Sequence, residues 1–356
     1  MASSRAVTEA ANALELPRGH EELVRGLWRA ARAQRLAHFL LFTGPAGSGK
    51  WLAARWLAAG LMCARGPGEP CGACGPCRRV AVGSHADLLV LDPLAAEVER
   101  IPVAWVSGGD DAPGEWIENF LALKSAEGGW RIVLLREAER MAHGQNHAQN
   151  ALLKTLEEPA PGTLLVLETS RPDRLLPTIQ SRAHVLACAA PGAAVTREVL
   201  AAHGHAGARA ELAARWSRGA PGAALELLAR SAPESRAILF DVLRGARRAG
   251  EVQQELWELE LELRAGTERA RDRERAAWLL AQAHALLHDA WRAGSGAPLD
   301  ALVHGDLGAS LAAAWPARRA ALAERRLLEL AQACVDIGSN LAPEQALERG
   351  LAALAE

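Results

Sequence analysis

The chain has 356 residues, half of them hydrophobic and mostly Ala and Leu, with a formal charge of −2 at neutral pH. That length suffices for two or three domains with cores of their own, and the near-balanced charge excludes the overall basicity of a nucleic-acid coat or a membrane-surface protein. Met1 to His20 carries Glu9 and Glu15 and lacks a signal-peptide core, and no apolar run is long enough to span a bilayer, so a soluble, cytoplasmic chain is expected.

Residues 16–36 carry a helical pattern, with Leu23, Leu27, Ala30 and Ala31 on one face. The apolar run from His38 to Thr43 reads as a buried parallel strand, with His38 as a capping or packing residue at its start. It leads into Gly44-Pro45-Ala46-Gly47-Ser48-Gly49-Lys50-Trp51, and a helical pattern follows from Trp51 to Met62. Strand, glycine loop and helix are the setting of a phosphate loop. In an intact loop Gly44, Gly47 and Gly49 would let backbone N–H groups wrap phosphates, Lys50 would reach the outer phosphates, and a hydroxyl at position 51 would hold Mg²⁺. Trp51 offers one N–H and no oxygen, so that metal ligand is missing, and Ser48 inside the loop is no assumed substitute.

Cys63, Cys71, Cys74 and Cys77 come next, separated by glycines and prolines. Four thiolates at this spacing in a reducing compartment suit tetrahedral Zn²⁺ with a closed shell, hence a structural ion. Cys188 and Cys334 sit in apolar surroundings and read as packing residues. A second strand is expected from Leu88 to Pro93, with His85 solvated at its edge; Glu97 to Asn119 reads as a polar loop and Trp116 to Ser125 as a helix.

The third strand is Arg131 to Leu135, followed by Arg136 and Glu137. Phosphate-loop ATPases place there an Asp that orients Mg²⁺ and a Glu that polarises water. Arg136 stands in the Asp position, so a degenerate Arg136-Glu137 pair agrees with Trp51 in removing the metal's protein ligands. Asn150 to Pro159 is a helix stopped by proline; Thr163 to Leu167 and His184 to Cys188 are further strands, with Pro177-Thr178-Ile179-Gln180-Ser181-Arg182 between them. Of the 40 basic residues only Lys50, Lys124 and Lys154 are lysines. A tight backbone cradle accepts a compact ammonium and excludes a planar guanidinium, so Lys50 is expected to hold a phosphate or loop carbonyls.

From Ala189 to Leu228 the chain is Ala- and Gly-rich with short helical patterns, and beyond Ser231 it is helical throughout. Leu279, Leu280, Ala283, Leu286, Leu287, Ala290 and Trp291 form one stripe, and Leu347, Leu351 and Leu354 begin another. Trp257, Leu259, Leu261 and Leu263 alternate with Glu as a strand would, but helix is expected there because Leu and Glu are good helix formers. The 11 tryptophans lack interleaved basic residues and do not read as base-stacking platforms.

The phosphate loop, the cysteine knuckle behind it, Asn150-Ala151-Leu152-Leu153-Lys154-Thr155-Leu156-Glu157-Glu158-Pro159, and Thr178-Ile179-x-Ser181-Arg182, in this order, resemble the bacterial clamp-loader subunits of DNA polymerase III. The resemblance implies a phosphate-loop, AAA+-like α/β domain with a zinc module over 1–188, a small helical lid over 189–230 and an all-α collar over 231–356. The hydrolysing subunits of that family need Thr or Ser at 51, Asp at 136 and a second sensor Arg within the stretch that here reads Gly219 to Leu225; this chain has none of these and resembles the non-hydrolysing kind. Two departures stand out: Ala183 replaces the Cys that usually follows the motif Arg, and Met141 to Gln149 is longer than usual. The resemblance further implies a hetero-pentamer with gamma/tau and delta subunits that acts on a sliding clamp and primed DNA, with Arg182 serving as an arginine finger in trans. Two rivals follow from the residues: an active ATPase that recruits Mg²⁺ through Ser48 or waters, and a zinc-ribbon nucleic-acid binder using Arg78 and Arg79.

Overall fold

The computed structural model describes residues 14–96, 98–109, 112, 114–127, 129–142, 146–157, 159–263, 267–316, 320–337 and 341–355. Glu158 of the proline-stopped helix, residues 143–145 of the longer segment and residues 1–13 of the N-terminal stretch lie outside that set. The chain divides into two compact units, Met1–Pro191 and Gly192–Glu356.

The first unit is built on five strands: β1 (Phe39–Thr43), β2 (Leu88–Leu91), β3 (Arg131–Leu135), β4 (Thr163–Thr169) and β5 (His184–Ala187). They form one sheet in the order β2-β3-β4-β1-β5, with every neighbouring pair parallel. The apolar runs are continuous because both faces are covered, as parallel sheets require; β4 is buried along all its length. Alternate residues serve opposite faces. Leu40, Phe42, Ile132, Leu134, Leu164 and Val166 pack with Val24, Leu27 and Trp28 of α1 (Glu21–Arg32) and Ala53 and Leu57 of α2 (Lys50–Met62). Phe39, Leu41, Val133, Leu135, Leu165 and Leu167 face the other layer, among them Phe120, Leu152 and Leu156. Truncating one such position, as in Leu152→Ala, costs about 2–5 kcal/mol.

Three expectations for this unit need correction. The stretch expected to be a polar loop contains a buried helical turn, α4 (Ala104–Ser107), which places Ile101, Trp105 and Val106 in the core; the acidic glycine-rich sequence after it masked that pattern. The helix expected to reach Ser125 is α5 (Ile117–Ala122) and stops early, because the chain beyond it serves Asp87. The Asp87 carboxylate, 1% exposed, accepts bonds from the Ser125 hydroxyl, the Ala126 and Glu127 N–H groups and Arg131, at 2.7–3.0 Å. Burial alone would push its pKa up, but these donors outweigh burial and hold it below the usual carboxylate range. Finally, His85 is not solvated: it is buried, its Nδ1 accepts from the Asp87 N–H at 3.1 Å, and its Nε2 lies 3.5 Å from Glu127.

The second unit is helical. Α short group, α8 (Ala193–Ala202), α9 (Gly207–Trp216) and α10 (Pro221–Ala229), encloses a small core of Leu200, Ala210, Ala213, Ala214 and Ala224. These labels count α3 (Gly75–Ala81), α6 (His147–Glu157) and α7 (Pro177–Gln180) of the first unit. A larger core gathers α11 (Ala232–Leu243), α12 (Ala249–Glu258), α13 (Glu268–Gly294), α14 (Gly308–Ala314), α15 (Ala320–Ile337) and α16 (Pro343–Ala355). The expected stripes on α13 and α16 are buried in it, Trp291 partly. Gly350 permits their close approach, since a Cβ there would lie 2.0 Å from a Leu280 methyl.

The helix expected through Leu263 is a further correction: α12 ends at Glu258, and Leu259 turns extended at φ −57°, ψ 137°. Arg275 donates to the Trp257 and Leu259 carbonyls at 2.5 and 2.8 Å, and the Glu262 N–H bonds the Ala229 carbonyl, so the segment is satisfied outside any helix. Among the described residues no helix is long and apolar enough to cross a membrane.

Candidate functional site

The loop after β1 opens at the carboxyl ends of the parallel strands, where ligands bind in open α/β sheets. Its path depends on two glycines. Gly44, at φ +146°, passes so close to the end of β5 that a Cβ would lie 2.1 Å from the Cys188 carbonyl; Gly49, at φ +99°, is the left-handed N-cap from which α2 starts at Lys50. Gly47 is also left-handed, at φ +72°. His20, buried ahead of α1, braces the loop through a 2.8 Å bond between Nε2 and the Ser48 carbonyl. The Ser48 side chain is 1% exposed, and its hydroxyl has no partner among the described residues.

Lys50 is 2% exposed and already engaged: Nζ donates to the Pro45 carbonyl at 2.7 Å and the Ser170 hydroxyl at 3.0 Å, and pairs with Glu168 Oε1 at 3.1 Å. Of the partners expected for Lys50, a phosphate or loop carbonyls, one loop carbonyl, that of Pro45, is in place. Glu168, at the end of β4, was missed; its other oxygen accepts the Glu137 N–H at 3.1 Å. Burial pushes the Glu168 pKa up despite the opposing charge of Lys50. Glu139 ties the same strand end, accepting from the Thr169 hydroxyl at 2.7 Å and the Ser170 N–H at 3.2 Å.

Trp51, in the first turn of α2, and Arg136, just after β3, meet each other. The Arg136 guanidinium lies 5.7 Å from the centre of the Trp51 ring and pairs with Asp92 at 2.9 Å. Glu137 is left-handed at φ +48°, and its carboxylate pairs with Arg140 at 2.5 Å. An indole and a guanidinium thus meet beside the loop, neither of which has an oxygen to offer a cation.

Arg182 lies between α7 and β5. Its guanidinium donates to the Thr178 carbonyl at 3.1 Å and pairs with Glu157 at 2.8 Å, both side chains more than a third exposed. In the Gly219-to-Leu225 stretch, α10 starts at Pro221 and carries no arginine.

The cysteines converge as their spacing predicts. The four Sγ atoms of Cys63, Cys71, Cys74 and Cys77 lie within 4.8 Å of one another. Tetrahedral bonds of about 2.3 Å would set sulfurs about 3.8 Å apart, so the set fits a thiolate-bound cation with a small contraction. Cys63 ends α2 and Cys74 caps α3; the Cys74 and Cys77 N–H groups point at the Cys71 and Cys74 sulfurs at 3.4 and 3.5 Å. The Cys74 N–H foremost, and then that of Ala73, bring the Cys71 thiol down to about 6, whereas burial pushes Cys77 up to about 12. The four thiols could hold a metal. His85 takes no part, and the module is fastened to the rest of the unit by Arg79, whose Nη2 donates to both Glu127 oxygens at 2.5 and 2.6 Å, and by Arg55 of α2, which donates to the Ala81 carbonyl at 3.0 Å.

Residues 19–191 match the family model described as DNA polymerase III, delta subunit. The DNA polymerase III subunit delta′ of Pseudomonas aeruginosa is 42% identical over 180 residues, covering 50% of this chain and 51% of that protein. The delta′ subunit of Bacillus subtilis is 32% identical over 160 residues, 45% of this chain and 44% of its own. Subunit gamma/tau of Mycobacterium bovis is 35% identical over 167 residues, 47% of this chain and 27% of that protein. The chain thus matches about half the length of its delta′ relatives. Residues 19–191, just under half of the chain, are thus similar to subunits of DNA polymerase III, and the two delta′ relatives point to the delta-prime kind.

Proposed function

We propose that the chain is the non-hydrolysing delta-prime subunit of a DNA polymerase III clamp loader. It would take part in loading a sliding clamp onto primed DNA, as a cytoplasmic replication protein assembled with gamma/tau and delta subunits in a hetero-pentamer. The observation that carries this reading is the contact of Arg136 with Trp51, which fills both metal-ligand positions with groups that cannot bind Mg²⁺. The sealed hydroxyl of Ser48 weighs against the rival that recruits the metal through that residue. The role left to the chain is architectural, together with Arg182, whose exposed position at 38% fits an arginine finger offered to the ATP of a neighbouring subunit. Structural Zn²⁺ is the ion proposed for the cysteine set. The separate small core of α8–α10 supports a lid over 189–230 and a collar over 231–356.

The test is calorimetric titration of the purified chain with ATP and Mg²⁺ beside a phosphate-release assay. No turnover is expected. Mg²⁺-dependent hydrolysis abolished by Lys50→Ala would identify an active ATPase instead. In the reconstituted complex Arg182→Ala is expected to leave assembly intact and lower the DNA-stimulated ATPase; an unchanged rate would remove the finger role.

A further inference from the structure

We propose that Glu168 is the internal occupant of the phosphate cradle: its carboxylate takes from Lys50 the contact that a nucleotide phosphate would make, and so turns a phosphate-binding loop into one that rejects phosphate. This deepens the reading of a non-hydrolysing subunit and rests on it.

One of the two donors that meet Glu168 is the lysine a phosphate loop offers its ligand, Lys50, and the other is the N–H of Glu137 just beyond β3. A lysine ammonium lies 3.1 Å from one carboxylate oxygen, and a backbone N–H lies 3.1 Å from the other. An ammonium and oriented backbone N–H groups are what such loops present to phosphate oxygens. The pair is sealed, at 2% exposure for the lysine side chain and 7% for the glutamate, so a phosphate approaching Lys50 must either displace a buried carboxylate or lie against it. In a low-dielectric setting two like charges a few ångströms apart repel strongly.

Among the described residues the nearby guanidinium groups have carboxylate partners of their own. Arg136 is committed to Asp92 and Arg140 to Glu137. The convergence of a carbonyl, a hydroxyl and a carboxylate on one Nζ also explains why lysine persists here in a chain whose other basic residues are nearly all arginine: a planar fork cannot direct its donors to three such partners around one point.

The test measures binding of ADP and, separately, of inorganic pyrophosphate to the full chain by titration calorimetry at low salt without added Mg²⁺. Wild type, Glu168→Gln, Glu168→Ala and Glu168→Gln/Lys50→Met are compared, with thermal melts to verify folding. Wild type is expected to bind neither ligand at millimolar concentration. Both single variants are expected to gain affinity for both ligands by about tenfold or more, as removal of one adjacent like charge requires, and the double variant to lose that gain. Folded single variants that gain nothing overturn the proposal. So does micromolar binding of pyrophosphate by wild type. ATP turnover by wild type would overturn the non-hydrolysing reading instead, a result that neither binding outcome produces.

Discussion

Replacing Lys50 with methionine strands a carboxylate. Lys50 and Glu168 are both buried, and the change also removes the donor held by the Pro45 carbonyl and the Ser170 hydroxyl. Breaking a buried ion pair by deleting one partner costs about 3–5 kcal/mol, because the other charge is left desolvated. For a unit of this size each kcal/mol moves the melting temperature by about 2–4 °C, which gives a loss of about 6–20 °C at neutral pH. The stranded Glu168 can escape by taking a proton, and its pKa is already raised in the intact protein. Without Lys50 it rises further, so the folded variant holds a proton that the unfolded chain has released, and its deficit must narrow as the pH falls. The assay is thermal and urea unfolding of wild type, Lys50→Met and Lys50→Met/Glu168→Gln at pH 8 and pH 5, followed by tryptophan fluorescence and circular dichroism. The double variant is expected to recover most of the loss. A Lys50→Met deficit under about 1 kcal/mol at pH 8, or one independent of pH, would refute the reasoning.

Purified protein is expected to carry one zinc per chain by elemental analysis; Cys71→Ser should lower that content, and a chelator should lower the melting temperature reversibly, since a ligand at a hundred to a thousand times its Kd stabilises by about 3–4 kcal/mol. Arg182→Ala should leave the melting temperature of the isolated chain nearly unchanged, because the pair with Glu157 is exposed at 38% and 56% and such pairs contribute at most about 1 kcal/mol. Asp87, with its folded pKa held below the ordinary carboxylate value, contributes stability that is complete above that ordinary value and is lost as the pH falls through the lower folded one. Asp87→Asn should therefore lower stability at pH 7 and flatten its acid decline, whereas an unchanged acid limb in urea titrations between pH 5 and pH 2 would show that the Asp87 network is not its source.

The phosphate loop was legible because its signals are local: an apolar run, glycines at the left-handed turns and a helix after them. The cysteine set was legible from spacing alone. Glu168 was not, because nothing in the chain states which strand lies beside β1. Only the order β2-β3-β4-β1-β5 brings the end of β4 against the loop, and only then does a glutamate that looks solvent-bound face Lys50. The same distance in sequence hid the contact between Trp51 and Arg136, although each substitution was visible by itself. In the stretch after Trp257 weighting the helix propensity of Leu and Glu was the error: the helix ends at Glu258, and Arg275 supplies the carbonyls with partners that propensity cannot foresee. His85 was misjudged because its burial depends on Glu127 and the Asp87 network folding over it.

The sealing of Lys50 also bears on chemical labelling. The chain has three lysines; Lys124 and Lys154 are exposed, Lys50 is 2% exposed, and the unit Gly192–Glu356 has none. Amine-directed cross-linkers and acylating reagents can therefore modify two lysine side chains, both in the α/β unit, and leave the helical unit without a lysine mark. A third lysine becoming reactive would report that the loop had opened, which makes the acylation of Lys50 a sensitive gauge of movement at the cradle.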